Sequence, residues 1–555
     1  MHSALENSIL AWLTKFGVAT SEDLQHIFGK SQATISRLLG NLSSSVLRIG
    51  AGKSSRYAKL SEIGPHSAQQ PVWWTGEDGQ VVRIGTVSSI AGNRVHLALN
   101  LDEVGAHAVM TVDELPWQLS SLKVQGFLGR IHAQKFPLFD HDPKMWTTTQ
   151  TLEAALMLSD APGAISIGAP HAIEQHISLS SETLGEDLDR ISRSVATSLP
   201  AGSSAGGEQP KFLALLDGRE HVLVKMSPPR GTPYGERWSD LLHAEQIASS
   251  VLSDAGVAVA VTTVVCTEKR TYLLSSRFDR VGLRGRRHAV ALDAVHSAVV
   301  NGPKTNWMNS CDDLARQGRL THEDAQTVAG LLAFGRLIGN TDMHFGNLSL
   351  FVDKPNLNGA KFSVCPAYDM LPMRWRPDVN YDDYSVFEPD PLALGSAQAP
   401  LAKTFWERVA TTSAVSAALR DVAREMAQRM GPQNICDEVA GDEFHRRAQA
   451  IPNLQQRAGV SYVFWHLATE AIQAAGGDPT KVEWAQVEDA TAKESIGDKG
   501  QAVERVLAAL CEQSPGAASG AQQRALAWRI QQMSTSLERI FEAHLGEAAK
   551  PLDPD

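Results

Sequence analysis

The chain has 555 residues, of which 43% are hydrophobic and 20% are charged. These fractions are typical of folded domains and exclude a largely disordered or collagen-like chain, while the length predicts several domains of roughly 150 residues each. The apolar runs are too short for a membrane span and the first residues do not resemble a secretion signal, so we expect no membrane contact and a cytoplasmic location. A net charge of -11 argues against nucleic-acid binding over the whole surface, but it is compatible with one basic module.

The acidic balance reverses near the N-terminus. From Leu24 to Ser61 the chain has no Asp or Glu, although it has six Lys or Arg residues. A local excess of positive charge on an acidic chain is typical of a module that binds nucleic acid. The alternative interpretation is a helical protein-interaction module whose basic face is solvated.

Capping signals divide this region into three helices. Ser3 begins a capping box for a helix that ends at Gly17, a short helix follows over Ser21 to Phe28, and Ser31 caps a third helix. Two strand-like runs joined by a Gly- and Ser-rich turn then predict a β-hairpin with a basic tip. This order of elements predicts a winged helix-turn-helix over residues 1–65.

The third helix is the predicted recognition helix. Its outward positions carry short or hydrogen-bonding side chains, which suit base edges in the major groove, and the basic hairpin tip suits phosphates. The polar segment 62–70 that follows predicts a linker. The residues predicted to contact DNA are Gln32, Ser36, Arg37, Lys53 and Arg56.

A loop of small residues over 199–209 precedes two runs of β-forming residues that are separated by Asp217-Gly218. This pattern predicts a hairpin whose second strand ends in Lys225. Backbone N–H groups of such a loop, and a lysine on the adjoining strand, can bind nucleotide phosphates as in a kinase nucleotide-binding lobe. The Walker pattern does not occur in the sequence. By itself, the loop and lysine also fit a linker beside a solvated side chain.

Three polar residues further along the chain favour the kinase interpretation. Asp342 and Asn347 have the Asp-x-x-x-x-Asn spacing of a kinase catalytic loop, and Asp369 follows a later predicted strand. In a kinase the loop aspartate orients the substrate hydroxyl, while the asparagine and a second aspartate bind Mg²⁺. The sequence therefore predicts a phosphotransfer site that uses ATP and Mg²⁺.

Taken in order, these motifs resemble the HipA family of serine/threonine kinase toxins, and the fused N-terminal module resembles the YjjJ-type subgroup. The resemblance spans about residues 110–430. An ordered set of motifs is more specific than any one of them. The set consists of Ser203-Ser204-Ala205-Gly206-Gly207, Pro210-Lys211, Lys225, Arg277-Phe278-Asp279-Arg280, Asn340-Thr341-Asp342, His344, Asn347 and Tyr368-Asp369.

The resemblance implies roles for the central residues. Asp342 would be the catalytic aspartate, Asn347 and Asp369 would bind Mg²⁺, and Lys225 would lie at the ATP phosphates. Glu245, in a predicted helix, is the carboxylate expected to pair with Lys225, although it also fits an exposed helical charge.

The resemblance also implies where the rest of the nucleotide would bind. Ser203, Gly206 and Gly207 would belong to the phosphate loop, and Arg277 and Phe278 would lie at the adenine-side connection between two lobes. A serine at the position of Ser203 can be autophosphorylated in this family, which expels the loop and stops catalysis. A phosphoserine there would compete with the nucleotide phosphates for the same anion-binding groups.

The predicted fold class is α+β and multidomain. Residues 1–65 would form the winged helix-turn-helix, 71–280 a HipA-like N-terminal lobe, 281–430 a helical kinase C-terminal lobe, and 431–555 a helical extension. Together 71–430 would make a two-lobed, protein-kinase-like fold. The winged module and the extension are also predicted homodimerisation elements.

The leading functional hypothesis is a HipA-like protein serine/threonine kinase, a toxin of the toxin-antitoxin type, with DNA as the partner of its fused N-terminal module. The resemblance implies a protein substrate such as an aminoacyl-tRNA synthetase. One alternative is a DNA-binding transcriptional regulator with a nucleotide-sensing or inactive kinase-like domain. Another is a small-molecule kinase, which would use the same loop, lysine and carboxylates.

Overall fold

The computed structural model of the chain describes residues 3–100, 107–112, 114–158, 160–170, 177–197, 209–300, 302–377, 384–394 and 396–430. The extension over 431–555 lies outside these residues, as does the segment 198–208 of the small-residue loop. The chain divides into two compact units. The first is Met1–Leu332, Asn340–Tyr384 and Arg408–Arg420, and the second is Ala333–Gly339, Ser385–Glu407 and Asp421–Asp555.

The helices, in chain order, are α1 Ala4–Phe16, α2 Ser21–Phe28, α3 Gln32–Asn41, α4 Gly126–Ala133, α5 Thr148–Leu156, α6 Leu184–Thr197, α7 Pro233–Asp254, α8 Leu292–Val299, α9 Trp307–Arg316, α10 His322–Leu337, α11 Asn356–Gly359, α12 Pro391–Leu394, α13 Ala399–Thr411 and α14 Ala417–Arg429.

The strands are β1 Val18–Thr20, β2 Val46–Ile49, β3 Arg56–Lys59, β4 Gln69–Thr75, β5 Val81–Ile90, β6 Arg94–Asn100, β7 His107–Val112, β8 Ile165–Ile167, β9 Ile177–Leu179, β10 Lys211–Leu216, β11 Glu220–Met226, β12 Thr262–Cys266, β13 Thr271–Ser276, β14 Arg280–Val281, β15 Gly285–Arg286, β16 Ala289–Ala291, β17 Ser349–Phe351 and β18 Ser363–Val364.

The three N-terminal helices begin where the capping signals predict, and the first two also end at the predicted residues. The Ser3 hydroxyl accepts from the Glu6 backbone N–H and the Glu6 carboxylate accepts from that of Ser3, so the capping box is present. Gly17 follows α1 with a φ of 93°, a conformation that glycine adopts without steric cost. The helices bury Ile9, Leu24 and Ile35 in one cluster.

A three-stranded sheet in the order β1-β3-β2 completes this region. The hairpin of β2 and β3 follows the predicted pattern, and Leu47 pairs with Ala58. The three-residue strand β1 was not predicted. Its register against β3 brings Thr20 opposite Arg56, so this short segment is held by tertiary pairing rather than by its own propensity.

The segment predicted as a linker, residues 62–70, is packed against the following sheet, and its last two residues begin β4. The Ile63 side chain is fully buried in the same cluster as Val72 and Leu97 of the following sheet. The backbone at the end of β3 also bonds to the backbone at the end of β5. The Ala91 N–H donates to the Lys59 carbonyl at 2.8 Å, and the Ser61 N–H donates to the Ser89 carbonyl at 3.0 Å. Although the segment is mostly polar, the buried Ile63 side chain holds it against the sheet.

The following sheet has the order β7-β6-β5-β4-β8, with each pair antiparallel. Its inward side chains do not form a separate core. They share one buried cluster with Trp307 of α9, with Leu350 of β17, and with Phe345, which precedes β17. The sheet therefore supports the segment that carries the predicted catalytic loop.

A second five-stranded sheet has the order β12-β13-β11-β10-β9. As predicted, β10 and β11 form a hairpin, and Asp217 and Gly218 form its turn with φ angles of 48° and 67°. The apolar side of the sheet buries Phe212, Val224 and Tyr272 together with side chains of α6. Lys225 lies on β11, the central strand of this sheet.

The described residues from 412 to 430 contribute apolar side chains to the interior. The buried side chains include Val415, Leu419, Val422, Met426 and Met430. Within the second unit, the Trp406 indole N–H donates to the Leu337 carbonyl at 3.1 Å, and Phe334 meets Phe405 edge to face. No helix among the described residues is long and apolar enough to cross a membrane.

The buried position of Ile63 generates a test of the packed segment. We expect Ile63→Ala to destabilise the first unit by about 2–5 kcal/mol, because the change removes buried methyl groups and leaves a cavity. Urea unfolding measures this loss. The control is Glu62→Ala, whose side chain is exposed and whose effect should stay within about 0.5 kcal/mol. Equal stability of the two variants would mean that the segment behaves as a linker.

Candidate active site

The β10–β11 hairpin presents two lysines on one face. Lys211 and Lys225 are directly opposite each other in the register of the two strands. Directly opposed residues of an antiparallel pair project to the same side of a sheet. The hairpin therefore places two ammonium groups on the same side. The sequence analysis had assigned only Lys225 to the ATP phosphates, and Lys211 is the additional lysine.

Lys225 lies between two carboxylates that come from different parts of the chain. Its Nζ donates to Oε1 of Glu245, a residue of α7, at 2.5 Å. It also donates to Oδ1 of Asp369, a residue that follows β18 in the chain. The side chains of Lys225 and Glu245 are each 5% exposed, whereas that of Asp369 is 26% exposed. The predicted partner Glu245 is thus at hydrogen-bonding distance, and Asp369 is the member of this group that solvent reaches.

Opposing effects set the charges of this group. Burial would lower the pKa of Lys225, but the negative charges of Asp369 and Glu245 outweigh burial and raise it, so the ammonium form persists. Burial would raise the pKa of Asp369, but the charges of Lys225 and Lys211 outweigh it and keep that pKa below its usual value.

Glu245 differs from Asp369 because burial dominates its titration. Burial, with the neighbouring charge of Asp369, raises the pKa of Glu245 despite the opposing charge of Lys225. Its second oxygen, Oε2, is buried and has no hydrogen-bond partner among the described residues. Glu245 therefore depends on Lys225 for the stability of its charged form.

The predicted catalytic loop is joined to Asp369 through Asn340. The Asn340 side chain is 7% exposed. Its Oδ1 accepts from the Asp342 backbone N–H at 3.0 Å, while its Nδ2 donates to the Asp369 carbonyl at 3.2 Å. One amide thus fixes the backbone of both predicted carboxylate positions. Asp369 itself has a φ of 54°, which is uncommon for a residue with a side chain.

Within the loop, Asn347 and Asp342 are also joined. Asn347 Nδ2 donates to the Asp342 carbonyl at 2.8 Å. The Asp342 carboxylate is 48% exposed, and its Oδ1 lies 3.9 Å from His344 Nε2. The loop therefore holds its backbone by internal hydrogen bonds and leaves the Asp342 carboxylate accessible to a substrate.

Two further aromatic side chains support the loop. The Trp307 indole N–H donates to the His344 carbonyl at 3.0 Å. The Tyr368 hydroxyl lies 3.1 Å from the Gly346 carbonyl and 2.8 Å from Ser349 Oγ. Both aromatic residues bond to backbone of the Asp342–Asn347 stretch from outside it.

The Arg277 side chain is committed to a buried ion network. It donates to Asp160 at 2.7 Å and to Asp279 at 2.9 Å, and Arg280 donates to the same two carboxylates at 2.5 and 2.6 Å. The guanidinium of Arg277 therefore links the segment after β13 to Asp160. Asp160 was not identified from the sequence.

The Phe278 ring lies next to the rings of Tyr368 and Phe351. Its ring centroid is 5.5 Å from that of Tyr368 and 5.8 Å from that of Phe351. Phe278 is thus brought to the residue that precedes Asp369. The predicted loop residues Ser203, Gly206 and Gly207 lie outside the described residues.

Four of the five predicted DNA-contacting residues are exposed. Gln32, Ser36 and Arg37 are exposed on α3, opposite its buried Ile35 face, and Arg56 is exposed on β3. Lys53 belongs to the turn Gly52–Ser54, and its side chain is outside the described part of the structure.

The chain matches two known domain families. The HipA-like C-terminal domain matches residues 203–433, and the YjjJ-like toxin middle domain matches residues 66–176. Toxin YjjJ of Escherichia coli strain K12 is 32% identical over 444 residues, which cover 75% of this chain and 95% of that protein. The chain is therefore a HipA-like protein. More narrowly, it belongs to the YjjJ toxin group, which confirms the resemblance seen in the sequence.

Two solved structures are more distant. The HipA protein of the Shewanella oneidensis MR-1 toxin-antitoxin system, in a complex with HipB and operator DNA, has a TM-score of 0.42 and 15% identity and covers 68% of this chain and 99% of that chain. The Helicobacter pylori proinflammatory kinase CtkA has a TM-score of 0.30 and 13% identity and covers 44% of this chain and 93% of that chain.

Sequence reasoning assigned no role to several residues that shape the site. Three of them belong to the family motifs but were given no role: Lys211, Asn340 and Tyr368. The predicted hairpin could have identified Lys211, because its register pairs Lys211 with Lys225. Trp307 and Asp160 carry no local signal, because their partners are distant in sequence. No group of three or more His, Cys, Asp or Glu side chains that could hold a metal ion is found in the described ranges.

The charge balance at Lys225 generates a prediction about stability. We expect Lys225→Met to destabilise the protein by about 3–5 kcal/mol near neutral pH, because two carboxylates lose their shared cation. Without Lys225 their folded pKa values rise above those of the unfolded chain. The stability linked to such groups is present below the unfolded pKa of about 4 and is lost as pH rises through the folded pKa.

The deficit of the variant should therefore be smaller at about pH 5 than at about pH 8. Melting temperatures across this range, with Lys269→Met as an exposed-lysine control, provide the measurement. A deficit that does not change with pH would contradict the charge account, because a purely steric loss does not titrate.

Proposed function

We propose that the chain is an ATP- and Mg²⁺-dependent protein serine/threonine kinase of the HipA type. The observation that carries the proposal is the convergence of Lys225, Glu245 and Asp369 with the loop that bears Asp342. A buried ion pair of strand lysine and helix glutamate beside a metal-binding aspartate is the arrangement that protein kinases require for activity.

The donor atoms fit the proposed cofactors. Mg²⁺ prefers oxygen ligands and normally uses one or two protein carboxylates, with nucleotide phosphates and water completing its shell. Asp369 would supply a carboxylate and Asn347 an amide oxygen, since the Asn347 amide nitrogen already donates to Asp342. Lys225 and Lys211 would supply positive charge to the phosphates. The cation would neutralise charge that develops on the transferred phosphoryl group.

The accessible carboxylate of Asp342 would orient the acceptor hydroxyl and receive its proton. Because the Asn340 side chain holds the Asp342 backbone, the carboxylate is positioned before substrate arrives. Asp369 bonds to Lys225. A carboxylate in this position would hold Mg²⁺ beside the ATP phosphates, and Glu245 would keep Lys225 in place. Ser203, Gly206 and Gly207 are assigned to the phosphate loop by the family resemblance.

The acceptor is proposed to be a protein serine or threonine, and the HipA resemblance favours an aminoacyl-tRNA synthetase. A small-molecule acceptor is the competing proposal, because the lysines and carboxylates serve either substrate. Phosphoproteomics after induced expression separates them, since a protein kinase should add phosphoserine or phosphothreonine sites that the Asp342→Asn form does not add.

The N-terminal elements support a second proposed activity, which is sequence-specific DNA binding by a winged helix-turn-helix. The observation that favours it is the polar, exposed face of α3, which is followed in the chain by the basic hairpin of β2 and β3. In this hairpin, Arg48 is held in place because its Nε donates to Ser55 Oγ at 3.1 Å. If DNA binding occurs without phosphotransfer, the regulator with an inactive or nucleotide-sensing domain becomes the better description.

The kinase proposal predicts a large effect of one isosteric change. Asp342→Asn should reduce phosphotransfer by at least roughly 100-fold, because it removes the proton acceptor while retaining the shape of the side chain. Incorporation of labelled phosphate from ATP into cell extract is the measurement. Asp353→Asn, an exposed aspartate in the turn after β17, is the matched control and should keep wild-type activity. Equal labelling by wild type and Asp342→Asn would reject the assignment.

The DNA proposal predicts two different mutational effects. Arg37→Ala should weaken binding to a specific site by about 1–3 kcal/mol if Arg37 contacts a base, and Arg56→Ala should weaken binding to all sequences and reduce the salt dependence. Gel-shift titrations at several salt concentrations measure both. Arg219→Ala, in the turn of another hairpin, is the control. DNA affinity that is the same in all three variants would remove the assignment.

A further inference from the structure

The Tyr368 hydroxyl occupies an unusual place between the two segments that carry the proposed metal ligands. It lies 3.1 Å from the Gly346 carbonyl, and Gly346 immediately precedes Asn347. Tyr368 itself immediately precedes Asp369. One hydrogen bond therefore joins the two segments at a distance of one residue from each proposed ligand.

The direction of each hydrogen bond follows from the available protons. A carbonyl oxygen can only accept, so the Tyr368 hydroxyl must donate its one proton to Gly346. The Ser349 hydroxyl, 2.8 Å away, must then donate to the Tyr368 oxygen. Ser349 begins β17, so the chain Ser349 to Tyr368 to Gly346 connects the strand, the Asp369 segment and the loop. This order aligns the donors in series.

The tyrosine ring is held independently of its hydroxyl. It packs beside Phe278 at 5.5 Å between centroids, and Phe278 in turn meets Phe351 edge to face. Loss of the hydroxyl would leave the ring in place and would remove the connection to Gly346.

We propose that Tyr368 is a positioning residue that sets the relative placement of Asn347 and Asp369, and so determines how tightly the site binds Mg²⁺ with nucleotide. The inference rests on the proposed kinase function. Mg²⁺ demands nearly octahedral ligand geometry. Residues that orient metal ligands typically affect metal affinity or activity by roughly 10–100-fold when changed. The Asn340 amide fixes the Asp369 backbone to Asp342, but it does not bond to Gly346 or Asn347.

The test compares Tyr368→Phe with Tyr272→Phe in the full-length chain. Tyr272 is a matched control because it is buried, and its hydroxyl donates to Asp189 at 2.8 Å and lies 3.0 Å from Ser192, in the sheet core. Binding of a fluorescent ATP analogue is titrated with MgCl₂. Melting temperatures without nucleotide are measured in parallel.

We expect Tyr368→Phe to raise the Mg²⁺ concentration at half-maximal nucleotide binding by roughly 10–100-fold. Tyr272→Phe should lower the melting temperature without moving this midpoint. Ser349→Ala should move the midpoint in the same direction, and its effect should not add fully to that of Tyr368→Phe because both changes break one chain of hydrogen bonds.

An unchanged Mg²⁺ midpoint in Tyr368→Phe, or an equal shift in Tyr272→Phe, would overturn the positioning role and leave the kinase proposal standing. Nucleotide binding by the wild type that does not respond to Mg²⁺ would overturn both. If the wild type binds Mg²⁺ with nucleotide but transfers no phosphate, the kinase proposal fails, and the midpoint of Tyr368→Phe still decides the role of the tyrosine.

Discussion

The Lys225 ammonium group, buried between the carboxylates of Glu245 and Asp369, is the interaction on which the candidate site depends. Without it, two negative groups would face each other in a region with little water, and burial of either would be costly. The lysine comes from a hairpin, Glu245 from α7 and Asp369 from the segment after β18. Their shared charge therefore joins three separate elements, and it keeps Asp369 ionised for the role proposed for it.

A second buried charge network supports the connection that follows β13. Three guanidinium groups, from Arg277, Arg280 and Arg286, surround the carboxylates of Asp160 and Asp279. Burial, together with the charge of Arg280, lowers the pKa of Arg286 to about 9. The arrangement remains favourable because backbone carbonyls accept further hydrogen bonds from Arg280 and Arg286. These hydrogen bonds and ion pairs therefore hold the segment after β13 in one position relative to Asp160 and Ala161.

The N-terminal module is connected to the next sheet by backbone hydrogen bonds and by Ile63. This has a consequence for the two proposed activities, because a DNA-binding module joined by a packed segment does not reorient freely as it would on a flexible chain. The composition of residues 62–70 predicts flexibility since Gly, Pro, Ser and Gln dominate it. One buried isoleucine and a few main-chain bonds override that tendency, and average composition does not detect them.

The sequence by itself determined the features that depend on neighbouring residues. These include the capping box at Ser3, the helix Ser21–Phe28, the hairpin around Asp217-Gly218 and the ordered motifs that identify the HipA-like family. Local signals suffice there because a cap or a turn is stabilised by residues within a few positions. Tertiary structure decided that Asp369 also contacts Lys225, that Arg277 is committed to Asp160, and that Tyr368 lies against Gly346. The two residues of these pairs are 144, 117 and 22 positions apart in the chain, respectively. Their geometry arises when distant elements pack, because hydrogen bonds and charge pairs form wherever the folded chain brings their atoms together.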